Sequence, residues 1–279
     1  MPRQSKKDIP KGLQNLQAFL DSHYVLCNTQ CNLQTPDPLI IVRKYAHHPH
    51  FAEIALLCAL LSYGNAKQIV AFLGKLDFGL LDSHTRKKRA MPYYRFQSAK
   101  DIETLFRIFE VCIERGGIRA VFAHALERTT PTPYRILNAI YHSIATLRSI
   151  AKELGIQSRG VEFALGARLI SESGTEAVRA PFNPKGKSPL KRWNLFVRWM
   201  VRDDAIDFGI WQDMIKPSEL IIPLDTHTFK VGQKLGLLQR KSYDLAAALE
   251  LTDSLRRFCP SDPVRYDFAL YRIGQSGQI

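Results

Sequence analysis

Two residues in the C-terminal half of the chain could supply an amine and a carboxylate to a reaction. Lys191 lies in the segment SPLKRWNLFVRWMVRDD, and Asp225 lies in IIPLDTHTFKVGQKLGL. Asp225 follows an apolar extended run at the point where a helix begins, so its side chain is expected to cap that helix. A carboxylate fixed at a helix start could also stabilise a positive charge that forms on a ligand in front of it.

The helix that carries Lys191 is expected to have one apolar and one cationic face. Its apolar stripe consists of Leu190, Trp193, Val197, Met200 and Val201. The opposite face, at helical spacing, holds Lys191, Asn194, Arg198 and Arg202,. Two plain alternatives stay open at this point: Lys191 is an ordinary solvated lysine, and Asp225 is a helix cap and nothing more.

Composition favours a folded protein with a polyanionic partner. Lys and Arg number 39 against 26 Asp and Glu, which gives a formal net charge of +13, and 46% of the 279 residues are hydrophobic. Such a chain can bury a core, which argues against global disorder. The excess of positive charge makes nucleic acid the first candidate partner, although it could also serve solubility alone.

Helical periodicity dominates the sequence, and the alternation typical of strands is hard to find, so the fold class is expected to be all-α. Several helix starts carry capping residues: Ser98 with Asp101 three positions later, Ser188 before Pro189, and Asp262 before Pro263,. Twelve helices are predicted, at 13–24, 38–47, 51–63, 67–76, 99–115, 118–128, 133–154, 161–172, 189–202, 226–235, 242–258 and 263–273.

No membrane segment, secretion signal or metal site is expected. No stretch reaches about 18 apolar residues, and the N-terminal segment MPRQSKKDIPKG lacks an apolar core,. The five cysteines form no C-x-x-C pair, so we expect free thiols in a reducing compartment,. These observations predict a cytoplasmic, nucleoid-associated protein without a cofactor, expected to be monomeric.

A basic stretch elsewhere in the chain is followed by aromatic residues. Arg86–Arg89 precedes Tyr93, Tyr94 and Phe96. Basic residues interleaved with aromatic ones are typical of nucleic-acid contacts, and the equal alternative is a solvated loop whose aromatic side chains turn inward.

The run PLDTHTFKVGQKLGL resembles a segment of the helix-hairpin-helix DNA glycosylases, the superfamily of endonuclease III, in which an aspartate before Thr-His opens a helix. Together with KRWNLFVRWM, IIPLD and DPVRYDFALYRIG, the chain resembles a bacterial family distantly similar to the archaeal 8-oxoguanine DNA glycosylases. The similarity covers roughly residues 183–274, with a weaker match at ALLSYGNAKQ, residues 59–68.

This resemblance implies roles for individual residues. Lys191 corresponds to the Schiff-base lysine and Asp225 to the catalytic aspartate, while Asp267, Tyr271 and Tyr63 would form the pocket for the damaged base. The resemblance and the positive charge together suggest DNA contacts by Asn65, Lys67, Lys185, Lys187, Arg192, Arg198 and Lys230. The chain lacks a G-x-G hairpin before the lysine, and it lacks the four C-terminal cysteines that hold the iron–sulfur cluster of endonuclease III,.

The resemblance also implies an architecture and an activity. We expect a two-lobed, helix-hairpin-helix glycosylase-like helical bundle, with residues 1–50 and 205–279 in one lobe and 51–204 in the other. The implied activity is excision of a damaged base from double-stranded DNA, with abasic-site lyase activity through Lys191. An oxidised purine is one candidate for that base. The main alternative is a non-catalytic nucleic-acid-binding helical protein, and a further one is an enzyme that processes RNA or cleaves nucleosides.

Overall fold

The computed structural model describes residues 12–29, 36–82, 91–127, 135–166 and 183–277. These ranges contain no β-strand, and their extended pairings are two isolated bridges, Tyr94 with Gln97 and Asp203 with Phe208. The expected all-α class is therefore confirmed.

The helices follow the predicted order. They are α1 Leu13–Thr29, α2 Leu39–Val42, α3 Phe51–Leu60, α4 Ala66–Leu73, α5 Ala99–Glu114, α6 Gly117–Glu127, α7 Arg135–Glu153, α8 Arg159–Leu165, α9 Lys191–Val201, α10 Thr226–Lys234, α11 Leu245–Arg256 and α12 Asp267–Ser276. Short 3₁₀ helices lie at Arg43–Tyr45, Phe78–Leu81, Pro217–Glu219 and Pro263–Tyr266.

The chain divides into two compact units, at residues 32/33 and 182/183. We call the part that joins 12–29 with 183–277 the terminal unit, and the described residues from 36 to 166 the central unit. The boundaries expected from the sequence, near residues 50 and 205, differ from these. As a result, α9 and Lys191 belong to the terminal unit.

The central unit is built around α3, whose residues are almost all buried. A helix that is apolar on every side is stable only inside a core. Helix α2 lies against α3, while the amphipathic helices α5, α6 and α7 pack against one another and α6 also contacts α3. Glu53, a buried acid on α3, accepts a hydrogen bond from the backbone N–H of Ile118 at 2.8 Å, which satisfies its carboxylate,.

The terminal unit brings the two ends of the described chain together. Helix α12 packs against both α10 and α1, and α11 packs against the 3₁₀ turn Pro263–Tyr266. The core under α9 is aromatic: Trp193, Phe196 and Trp199 are buried, and Trp211 meets Phe196 edge to face at 5.1 Å between ring centroids,. No described helix is long and apolar enough to span a bilayer.

The predicted helix caps have different outcomes. Ser98 and Asp101 form the reciprocal capping box at the start of α5,. Ser188 does not start α9, which begins two residues after Pro189, at Lys191. Asp262 makes no capping bond at the turn that follows it, because its carboxylate binds Arg202 instead. The expected helix start near Pro133 lies outside the described residues.

Candidate active site

Lys191 is the first residue of α9, and the residue before it has an unusual backbone. Leu190 adopts a left-handed conformation with φ of +52° while its side chain is buried. For a residue with a branched side chain this conformation is strained, and such strain persists only where the surrounding structure holds it. Pro189 and Asn194 help to hold this entry, because the Asn194 side-chain amide donates to the carbonyl of Pro189 at 3.0 Å.

Asp225 is the N-cap of α10, as the sequence predicts. Its Oδ1 accepts a hydrogen bond from the backbone N–H of Thr228 at 2.8 Å. One carboxylate oxygen is therefore committed to the helix, which fixes the orientation of the other.

The second oxygen of Asp225 faces the amine of Lys191. The Nζ–Oδ2 distance is 3.7 Å, longer than a hydrogen bond but within the range of an ion pair,. The lysine side chain is 34% exposed and the aspartate side chain 12% exposed. The structure thus brings together the two residues that the sequence analysis singles out for catalysis, with the amine still accessible.

Tyr243, which the sequence analysis missed, lies beside this pair. Its hydroxyl donates to the carbonyl of Leu224 at 2.7 Å, and its ring meets Phe229 edge to face. Burial of the hydroxyl and the charge of Asp225 both raise the pKa of Tyr243, so it stays a neutral donor. The motif around Asp225 gave no signal for this tyrosine, which is 18 positions further along the chain.

The cationic face expected on α9 is wrong beyond its first turn. Arg198 and Arg202 have side chains only 3% and 5% exposed. Arg198 binds Asp207 at 3.1 Å and Asp267 at 2.5 Å. Arg202 binds Asp207 at 2.6 Å, and it also binds Asp204 and Asp262.

We call these two arginines and their four aspartates the buried ion cluster. Asp204 also accepts hydrogen bonds from the backbone N–H groups of Ile206 and Asp207, which orders the segment after α9. Because its guanidinium is buried among carboxylates, Arg198 is not available for the phosphate contact that the sequence analysis assigned to it. Burial of a guanidinium requires such partners, and here the segment 203–207 and the region of residues 262–267 supply them.

Asp267 likewise belongs to the buried ion cluster rather than to an open base pocket. It is the first residue of α12 and is buried against Arg198. Burial raises the pKa of Asp267 to about 6, and the Asp225 charge adds to this effect while Arg198 opposes it. Its carboxylate is therefore linked electrostatically to Asp225. The place expected for Asp267 in the pocket for the damaged base is corrected to a buried contact with Arg198.

Tyr271 lies one turn further along α12 and is half-buried. Its ring meets His227 of α10 edge to face at 5.9 Å, and its hydroxyl accepts from Gln275. The two helices approach closely at Gly274, where a Cβ atom would lie 2.7 Å from the Cβ of His227. This glycine allows α12 to pack directly on the first turn of α10, next to Asp225.

The remaining predicted contact residues fall in two groups. In the terminal unit, Lys185 and Lys230 are exposed, whereas Lys187 and Arg192 are half-buried. In the central unit, Lys67 is exposed and the Asn65 side chain caps α4 by accepting from the backbone N–H of Lys67. Tyr63 also belongs to the central unit, where it packs in an aromatic cluster described below. The basic stretch 86–89 lies outside the described residues.

A family model described as "Protein of unknown function (DUF2400)" matches residues 37–276. No curated protein and no solved structure matches.

Proposed function

Because this chain belongs to the DUF2400 family, whose description names no reaction, we propose a function from the chemistry of its Lys191–Asp225 pair. The protein is proposed to be a DNA glycosylase that removes a damaged base from double-stranded DNA and then cleaves the abasic site through Lys191. The observation that carries the proposal is the 3.7 Å separation between an accessible lysine amine and a carboxylate held by a helix start.

The two side chains match the two demands of this reaction. Breaking an N-glycosidic bond builds positive charge on the deoxyribose, and an ionised carboxylate fixed nearby stabilises that charge. An amine at the same place can form a covalent intermediate with the sugar carbon. The cap bond to Thr228 aims the free oxygen of Asp225, so little reorganisation is needed as the charge develops,.

In the proposed reaction, the Lys191 ammonium first gives a proton to solvent. The freed amine attacks C1′ as the bond from C1′ to the base breaks, and the base leaves with the second proton that the nitrogen loses. The C1′–O4′ bond then breaks, O4′ takes a proton from solvent, and a Schiff base forms between the nitrogen and C1′. Loss of a C2′ proton expels the 3′-phosphate by β-elimination, and water hydrolyses the remaining imine to release the enzyme.

The overall charge and the exposed lysines support DNA as the substrate. The net charge is +13, and Lys185 and Lys230 are exposed in the same unit as Lys191. Phosphate contacts of this kind supply most of the sequence-independent affinity for DNA. A base must also leave the stack to reach the amine, and Tyr271, half-buried and near α10, is the candidate aromatic contact for it,.

The test is covalent trapping by borohydride on duplexes that carry an abasic site or one of a panel of oxidised, alkylated and deaminated bases. We expect the wild-type chain to be trapped, and Lys191→Gln to lose trapping completely while still binding DNA. The matched control is Lys234→Gln, which removes an exposed lysine from the last turn of α10. This variant should be trapped as well as the wild type.

Three results would contradict the proposal. Undiminished trapping of Lys191→Gln would assign the nucleophile to another amine. DNA binding by the wild type without trapping or excision on any duplex would favour the non-catalytic binding protein. Cleavage of RNA or free nucleosides, but not of damaged duplexes, would transfer the same pair to a different substrate class.

A further inference from the structure

Three aromatic rings form a cluster in the central unit. Tyr63 and Phe96 lie nearly parallel, with ring centroids 5.9 Å apart and an interplanar angle of 12°. Phe163 of α8 meets both edge to face, at 5.2 Å from each centroid. Despite these contacts, Phe96 is 62% exposed. We refer to Tyr63, Phe96 and Phe163 as the aromatic cluster.

Hydrogen bonds hold the turn that carries Phe96. Tyr94 and Gln97 exchange two backbone hydrogen bonds, at 2.9 and 2.8 Å, across the turn. The Gln97 side chain is buried, donates to the carbonyl of Gly160 at 3.0 Å and accepts from the hydroxyl of Tyr63. The exposed ring of Phe96 is therefore presented from a fixed position, which lowers the entropic cost of binding a ligand to it.

Arg95 places a positive charge on this cluster. Its backbone is left-handed, with φ of +52°, and its guanidinium carbon lies 5.9 Å from the Tyr63 centroid and 5.7 Å from the Phe96 centroid,. Gly64 makes room for it, because a Cβ atom there would be 2.4 Å from Nη1 of Arg95. The turn therefore presents a guanidinium beside the exposed ring of Phe96,.

An open pocket of about 360 Å³ adjoins the cluster and is lined by Phe96, Arg159, Gly160 and Phe163. This volume falls in the range of small-molecule sites. Arg159 is exposed, and within the described part of the chain no carboxylate pairs with it. The nearest acid to Gly160, Asp101, accepts hydrogen bonds from Ser98 and Ser158, so it already has partners of its own.

We infer that this pocket binds a nucleotide, with the base stacked on Phe96 and the phosphate beside Arg159. Flat aromatic faces next to guanidinium groups are the combination that holds unstacked bases and their backbone. An apolar ligand would leave Arg159 without an anion, and a simple anion would leave the exposed ring of Phe96 without a function. The nucleotide could belong to a single-stranded segment of DNA or be a free mononucleotide.

This inference does not depend on the proposed glycosylase activity. The described residues that line the pocket belong to the central unit, whereas Lys191 and Asp225 belong to the terminal unit. A chain that binds the probes below but is never trapped on damaged DNA would retain the pocket and lose the proposed reaction. The reverse result would separate them equally well.

The experiment measures fluorescence anisotropy of a labelled strand of eight thymidines with the full chain. Phe96→Ala should weaken binding about tenfold or more, the usual effect of removing one stacked base contact. Phe96→Leu should be equally weak, and Phe96→Tyr should bind like the wild type because it keeps the flat ring. Arg159→Gln should reduce the slope of log affinity against log salt by about 0.7.

One control matches the arginine variant, and competition distinguishes the two ligand sources. Arg107→Gln removes an exposed arginine from α5. This arginine does not line the pocket, so binding should change less than twofold. Displacement of the strand by millimolar AMP, dependent on Phe96, would identify a free nucleotide. Failure of AMP to compete would identify the strand.

Two results would overturn the inference. One is that neither the strand nor AMP binds the wild type at low salt. The other is that Phe96→Ala and Arg159→Gln bind both probes as the wild type does, with thermal melts showing that all variants are folded.

Discussion

Helix α9 carries cations at both ends, and the protein surrounds them in opposite ways. Near its C-terminal end, Arg198 and Arg202 are almost fully buried and contact four aspartates at 2.5 to 3.1 Å. At its first residue, Lys191 is one-third exposed and meets Asp225 at 3.7 Å. The two ends have the same kinds of charge in the same helix.

The two groups of cations differ in how many carboxylates surround them and in how accessible they remain to solvent. In the buried ion cluster each guanidinium is enclosed by carboxylates, so its charge is used to hold the segments around residues 203–207 and 262–267 in place. Among the described residues, the amine of Lys191 has one charged contact, at 3.7 Å from Asp225, and it remains accessible to solvent. An enclosed cation stabilises the fold, whereas an accessible lysine beside a fixed carboxylate can still reach a ligand in solution.

The largest expected effect is a loss of stability when an arginine of the buried ion cluster is replaced. Arg198→Met would remove the charge that separates Asp207 from Asp267 and leave both carboxylates buried with fewer partners. We expect the free energy of unfolding to fall by about 3–5 kcal/mol. Urea denaturation followed by circular dichroism measures this change.

The matched control is Arg257→Met, an exposed arginine after α11. Its unfolding free energy should stay within about 0.5 kcal/mol of the wild type. Equal urea midpoints for Arg198→Met and Arg257→Met would show that the buried ion cluster does not stabilise the fold.

The next largest effect is expected at the Lys191–Asp225 pair. Asp225→Asn keeps an N-cap, since asparagine caps a helix as well as aspartate does, but it removes the negative charge beside Lys191. On the proposed function, base excision should fall by about 100- to 1,000-fold, the usual loss when a group that stabilises the transition-state charge is removed. Single-turnover excision on the best lesion duplex measures it.

Thermal melts provide the control for this variant, because an intact cap predicts a midpoint close to that of the wild type. Full excision by Asp225→Asn would leave Asp225 as a structural cap alone. A large drop in the melting temperature would mean that the cap bond to Thr228 depends on the charge.

Asp267 interacts with both Arg198 of the buried ion cluster and Asp225, and its raised pKa predicts that the stability of the fold depends on pH. Burial raises its pKa from 3.8 to about 6, with the charge of Asp225 adding to this effect and Arg198 opposing it. Between these pH values the folded protein holds a proton that the unfolded chain has released. The contribution of Asp267 to stability is therefore fully present only well below pH 3.8, falls by roughly 3 kcal/mol as the pH rises through about 6, and is level above about pH 7,.

Urea denaturation at several pH values from about 3 to about 7, for the wild type and for Asp267→Asn, measures this contribution. The asparagine cannot titrate, so the wild-type stability minus the variant stability should decrease as the pH rises through this window. A difference that instead grows with pH would mean that Arg198 holds the Asp267 carboxylate ionised throughout.

The smallest expected effect tests whether the exposed lysines contact phosphate. Lys185→Gln removes an exposed charge from the loop before α9. It should lower duplex affinity only a few-fold and reduce the slope of log affinity against log salt by about 0.9. Fluorescence anisotropy at salt concentrations from about 50 to 200 mM measures the slope, because phosphate contacts weaken steeply in this range. The control is Lys234→Gln. An unchanged slope would exclude Lys185 from the DNA contact.

Local signals in the sequence predicted most of the fold. The helices and the capping box of Ser98 and Asp101 depend on residues a few positions apart, so the sequence pattern predicts them correctly. The start of α9 was misplaced because Pro189 usually marks a first turn, whereas the left-handed Leu190 delays it. Nothing in the sequence signals a strained leucine.

The site was predicted in part, for a similar reason. Spacing showed that Arg198 and Arg202 share a helix face, but not that this face is buried. That depends on Asp262 and Asp267, which are at least 60 positions away from the arginines they bind. The pocket beside Phe96 also depends on residues that are distant in the sequence, since Arg159 and Phe163 lie on α8. Lys191 and Asp225 were found because a motif marked them.

The close contact of α10 and α12 at Gly274 has a consequence for anyone who grafts this lysine–aspartate pair onto another scaffold. A copied pair of side chains would not be enough, because the position of α10 also depends on α12. Gly274 of α12 has no side chain, and this allows His227 in the first turn of α10 to pack directly against it. The smallest portable unit therefore includes α9, α10 and the part of α12 that contains Gly274. A redesign that replaced this glycine by alanine for helix propensity would shift the aspartate away from its amine.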